Sequence, residues 1–88
     1  MNKARIKRYR FLYEELGMSQ RGVARFLDMG ERSSRRWASG QTDIPLHVMM
    51  LLEVMHAYGV TPEQARKMAR ATDRNPDYSD QRYLAAED

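Results

Sequence analysis

SQRGVARFLDMGERSSRRWASG, residues 19–40, carries two helical patterns separated by a short break. Val23, Ala24 and Leu27 fall on one side of a helix, and Ser19 stands where a side-chain oxygen can cap its first free N–H groups. Asp28 and Gly30 flank Met29. Both residue types tolerate backbone angles that ordinary side chains avoid, so the chain can turn sharply here, with Met29 expected to fill the angle between the helices. In the second pattern Trp37 marks the inward side, with Ser33 and Ser34 one turn earlier. At about 100° per residue this sends Arg32, Arg35 and Ser39 outward, flanked by Glu31 and Arg36. The stretch therefore predicts two short helices at a tight turn, the second showing three guanidinium groups.

Working outward, Ile6, Tyr9, Leu12, Tyr13 and Leu16 recur at helical spacing over residues 3–16, and Gly17 ends the pattern. The other face of this first helix holds Lys3, Lys7 and Arg10. On the far side of the central stretch, residues 40–44 read as a polar connection, and Pro45 suits the first position of a helix over 45–58. That helix is apolar nearly all round. Val48, Leu51, Leu52 and Met55 lie on one side and Leu46, Met49, Met50 and Ala57 on the other, with His47, Glu53 and His56 as interruptions. Such a helix is either central to the fold or partly covered by a second subunit, and Met49 and Met50 are the candidates for a homodimer contact. Thr61 and Gln64 form a capping box with Pro62 in the first helical position, opening a fifth helix that is expected to end near residue 71. Residues 72–88 are polar, with Asp73, Asp77, Asp80, Glu87 and Asp88 against Arg74 and Arg82. The pattern predicts an all-α, compact bundle of about five helices over residues 1–71. Residues 72–88 form an acidic tail that can meet a partner through Tyr78, Tyr83 and Leu84, with one helical turn from Ser79.

Composition narrows the classes. The 88 residues are enough for one small helical core, and without cysteine no disulfide supports it. The absence of cysteine, of a signal peptide's apolar core in MNKARIKRYR and of an apolar run near 20 residues leads to the expectation of a cytoplasmic protein with no membrane contact. Charge is divided unevenly: residues 1–40 hold ten Lys/Arg against four Asp/Glu, net +6, and residues 41–88 hold five against eight, net −3. The first half attracts a polyanion. His47 and His56 are nine apart with no cysteine to join them, so neither a metal site nor a cofactor is expected. No serine comes with an evident base and no glycine-rich loop cradles phosphate, so an enzyme is not expected either.

The central stretch resembles the lambda-repressor/Cro-like (XRE-type) helix-turn-helix of bacterial and phage regulators. It has the polar cap followed by Gln20, apolar Val23, small Ala24 where two helices approach, apolar Leu27 and Met29, aromatic Trp37 and the helix-ending Gly40. The continuation IPLHVMMLLEVMHAYGVTPEQA, residues 44–65, is similar to the family's fourth helix, its turn and its fifth helix, so the resemblance covers roughly residues 6–71. Asp28 stands where glycine is usual, and Ser34 where an apolar residue packs inward. An apolar replacement of Ser34 is accordingly expected to stabilise the core.

The resemblance implies a sequence-specific regulator of double-stranded DNA, most simply a repressor acting by occlusion, with the third helix in the major groove. Glu31, Arg32, Arg35 and Arg36 are the candidates for base contacts, because guanidinium matches the O6 and N7 acceptors of guanine and a carboxylate accepts from cytosine N4. Gln20, Arg21, Ser33, Ser39, Gln41 and Thr42 are the candidates for phosphate contacts. One reading helix spans few base pairs, so a homodimer on a palindromic site is expected. Two other settings fit the same residues. One is the antitoxin or interaction module of an addiction pair, with the tail wrapping a protein partner. The other is a phage-type autorepressor, because the SQR, Arg32 and Arg35–Arg36 pattern is also similar to the small anti-CRISPR-associated repressors.

Overall fold

The structure, a computed structural model, describes residues 3–74. It is all-α, with five helices and no strand among the described residues: α1 (Lys3–Glu15), α2 (Gln20–Phe26), α3 (Glu31–Ser39), α4 (Leu46–Tyr58) and α5 (Pro62–Arg74). α1 packs against both α3 and α4, and α2 packs against α3. Tyr9, Leu12, Val23, Ala24 and Leu52 have no exposed surface, and Trp37, Ile44, Val48 and Met49 close around them. The Tyr9 ring meets Tyr13 and Trp37 edge-on at centroid distances of 5.1 and 6.0 Å, the arrangement that sets a positive ring edge against a negative ring face.

The helix ends follow local chemistry. α2 starts at Ser19, whose hydroxyl accepts from the Gly22 N–H at 2.9 Å. At α5 the Thr61 hydroxyl accepts from the Gln64 N–H at 3.1 Å while the Gln64 side chain accepts from the Thr61 N–H at 2.9 Å, a reciprocal capping box. α2 closes through Asp28 in the left-handed region at φ 55°, with Met29 N–H returning to the Ala24 carbonyl at 2.9 Å. α3 closes in the same way through Gly40 at φ 83°, with Gln41 N–H returning to the Arg36 carbonyl at 2.9 Å. Aspartate manages the first of these turns because it visits the left-handed region more readily than most residues.

Several expectations are corrected. Met29, expected to fill the angle between α2 and α3, keeps 36% of its surface exposed, and its N–H closes α2 on the Ala24 carbonyl. Pro45 is the N-cap of α4 and not its first residue: at ψ 140° it is extended, and its carbonyl accepts from the Val48 and Met49 N–H groups. Ile44, read as part of a polar connection, is buried, with its carbonyl accepting from Arg5 at 3.3 Å. Of the two expected homodimer residues, Met49 is largely buried in the core and reaches the surface only at the floor of a groove, whereas Met50 is exposed. Leu51 is exposed as well, which turns the buried side of α4 toward Val48, Met49, Leu52 and Met55. α5 continues to Arg74, past the expected end at residue 71. The tail readings at Ser79, Tyr78, Tyr83 and Leu84 lie outside the described residues.

Ser34 is fully buried as expected, but it is not a gap in the core. Its hydroxyl pairs with the Tyr9 hydroxyl at 2.8 Å and donates to the Gln20 carbonyl at 3.3 Å. One small side chain thereby ties α1, α3 and the first turn of α2 together. Burial pushes the Tyr9 phenol above its ordinary pKa, and the bond with Ser34 works against that rise. No buried side-chain N or O lacks a partner among the described residues.

Arg8 on α1 grips Glu53 on α4 through two bonds of 2.8 Å. Hydrogen bonding from Arg8 holds the Glu53 carboxyl below its usual range. A carboxylate depressed in the folded state adds stability above its unfolded pKa and loses it as pH falls through the folded one. Wild-type protein is therefore expected to lose a small increment of stability on acidification through the carboxylate range, and Glu53→Gln to lack that increment. Urea midpoints at neutral and acid pH check this; equal acid sensitivity of the two proteins contradicts it. The increment is small because both side chains are solvated.

Candidate nucleic-acid interface

α3 has two unlike faces. Ser34, Trp37 and Ala38 are buried, while Arg32, Arg35, Arg36 and Ser39 are exposed and Glu31 and Ser33 are half-buried. The inward set follows from the anchoring of Trp37 against Tyr9 and of Ser34 against both Tyr9 and Gln20. Once those are seated, the arginines have no direction left but solvent. α3 is thereby a rigid nine-residue support for three forked cations, closed at its end by Gly40.

The predicted residues fall into two groups. Gln20, Arg21, Glu31 and Arg35 line one cleft between the first turns of α2 and α3. Within it Arg21 and Glu31 approach to 3.5 Å, and both are solvent-accessible. Glu31 is thus held by a cation in the free protein, and a ligand that used either residue would exchange that pair for its own contacts. Arg35 and Gln20 also line a neighbouring notch with Arg10, Tyr13, Glu14 and Ser39, so Arg35 stands at the junction of the two depressions. The second group follows the end of α3. Gln41 and Thr42 are exposed, and their backbone N–H groups are used on the Arg36 carbonyl. Ser39 donates its hydroxyl to that same carbonyl at 3.2 Å, which leaves the hydroxyl oxygen as an acceptor.

Arg10 is a residue that sequence reasoning assigned to a solvated face. Its guanidinium reaches across to hydrogen-bond the Ala38 carbonyl in the last turn of α3, where the helix dipole favours a cation. It is a positioning residue for α3. No spacing signal connects two residues 28 apart, so this contact was not legible in the sequence. Arg25, exposed on α2, adds a further positive charge near the turn.

Chemically the surface offers guanidinium forks, amide and hydroxyl groups and one carboxylate. Forks bind planar or tetrahedral anions and the paired acceptors of a guanine edge. The Ser34 and Ser39 hydroxyls are directed at tyrosine and backbone partners, not at a base. Among the described residues there is no group of three His, Cys, Asp or Glu that could hold a metal ion, and no helix is long and apolar enough to cross a membrane. No protein-family model matches the sequence, and neither the curated proteins nor the solved structures contain a significant match to it.

Proposed function

We propose that this chain is a sequence-specific double-stranded DNA-binding regulator of the XRE-type helix-turn-helix kind, acting in the cytoplasm as a repressor that occludes its operator. The observation that carries the reading is the two-faced α3: its inward side is locked by Trp37 and Ser34, and its outward side presents Arg32, Arg35 and Arg36 beside the first turn of α2. A B-form major groove, about 12 Å wide, admits a helix of this kind and shows a distinct donor and acceptor pattern for each base pair. Arg32 and Arg36 are the base readers in this proposal. Gln20 and Arg21 meet phosphate, as do the side chains of Gln41 and Thr42, whereas the Ser39 hydroxyl is already donated to the Arg36 carbonyl; Arg35 bridges the two sets. The net charge of +6 on residues 1–40 supports a polyanionic partner.

Selection of bound duplexes from a random pool, followed by binding profiles of variants on the selected site, tests the reading. Arg32→Ala or Arg36→Ala is expected to cost about 1–3 kcal/mol on the selected site and to relax preference at one position. Arg21→Ala is expected to weaken binding to all duplexes alike and to lower the salt slope by about one. If the pool yields no preferred site, or if neither arginine variant of α3 alters the profile, the proposal fails.

A further inference from the structure

α4 leaves a row of large apolar side chains in solvent. Leu46, Met50, Val54 and Tyr58 are 61%, 58%, 54% and 80% exposed, and they are spaced four residues apart, so they form one continuous ridge along the helix. Leu51 and His47 lie exposed beside it. Next to the ridge runs a shallow apolar groove, bounded across from Leu46, Met50 and Val54 by Arg5 and Arg8 of α1.

We propose that this face is the contact between two copies of the chain, with the α4 ridge of each protomer seated in the groove of the other about a two-fold axis. Three features select a second copy as the occupant. A ridge and a matching groove side by side on one surface are self-complementary: a two-fold operation brings each ridge over the other groove, the packing of i±4 rows that crosses two helices at about −50°. The face also carries little charge: of the two arginines that wall the groove, Arg8 is paired with Glu53 and Arg5 donates to the Ile44 carbonyl. Its size is sufficient as well. The exposed area of these five residues is several hundred Å², the scale at which an apolar patch marks an interaction site. It is most of the ~800 Å² that each partner gives to a standard interface. The inference does not depend on α3 reading DNA. α1 lies against both α3 and α4, and none of the ridge residues lines either depression beside the α3 arginines.

The chain has no cysteine, so a single introduced thiol reports on this contact without interference. Sedimentation equilibrium of wild type is expected to give twice the 10.3 kDa chain mass at micromolar concentration. Met50→Glu is expected to sediment as a single chain with an unchanged helical circular dichroism spectrum, because the residue is exposed in the protomer. Under mild oxidation Met50→Cys is expected to cross-link to a covalent dimer at least ten times faster than Met68→Cys, whose parent residue on α5 is 65% exposed. A wild type that sediments as one chain throughout overturns the proposal. So does a Met50→Glu protein that stays dimeric, or equal cross-linking of the two thiols. None of these outcomes bears on DNA recognition, whose failure would appear instead as a random pool with no selected site.

Discussion

Ser34→Val is expected to lower the melting temperature by roughly 10 °C or more. At a position with no exposed surface, valine removes the partner of the Tyr9 hydroxyl and the donor to the Gln20 carbonyl. A buried polar group left without a partner costs about 1–3 kcal/mol, and the added methyl overfills a closed site by about another 1–3 kcal/mol. For a domain of this size each kcal/mol moves the midpoint by about 4–8 °C. Tyr9→Phe combined with Ser34→Val removes both hydroxyls together, so the double variant is expected to recover part of the loss. Thermal melts of the four proteins in the cycle measure this coupling. A Ser34→Val protein as stable as wild type would mean that the hydroxyl pair contributes nothing and that the position behaves as the apolar site the sequence pattern implies.

Gly40→Val is the second large effect, with an expected loss of about 2 kcal/mol or more. Gly40 sits at φ 83°, and a Cβ there would lie 3.0 Å from Ile6 Cδ1. The left-handed region costs an ordinary residue about 1–2 kcal/mol, and a β-branched one more. The contact with Ile6 is the smaller contribution, because it involves the tip of a flexible side chain that can yield. Asparagine, which enters this region more easily, is expected to lose least, then alanine, then valine. Urea midpoints for the three variants check the order. Equal stability of Gly40→Val and wild type would show that α3 can end without this backbone conformation.

Features that depend on neighbours in the chain were legible before the structure. Ser19, the Thr61 and Gln64 box and the stops at Gly17 and Gly40 all act within five residues of themselves, and the structure places each where the pattern predicts. The outward arginines of α3 were legible because one large aromatic, Trp37, fixes the phase of a helix that is otherwise polar. α4 had no such reference. With apolar residues on all sides its pattern shows no preferred direction, so nothing in it separates buried Met49 from exposed Met50. Contacts between distant segments were not legible at all. Tyr9 with Ser34, Arg10 with Ala38 and Arg21 with Glu31 join different helices, and each depends on the angle at which the helices meet.

If α3 reads DNA as proposed, the stop at Gly40 also sets a ceiling on information. Nine residues at 1.5 Å each give α3 a length of about 13 Å, which spans about four base pairs at a rise of about 3.4 Å. Four positions distinguish at most about 256 sequences, whereas a genome offers about 10⁶ or more competing sites, so one such helix would find thousands of equal matches. Lengthening α3 would not help, because a straight helix leaves a groove that curves around the duplex. A regulator built on this helix gains discrimination by multiplying readers, and two copies raise the ceiling to about 65,000 sequences by squaring that of one. Under the proposed DNA-reading role, the glycine that makes the helix short thus makes the number of protomers on the site, more than the chemistry of any one arginine, the quantity that decides how rare the recognised sequence is.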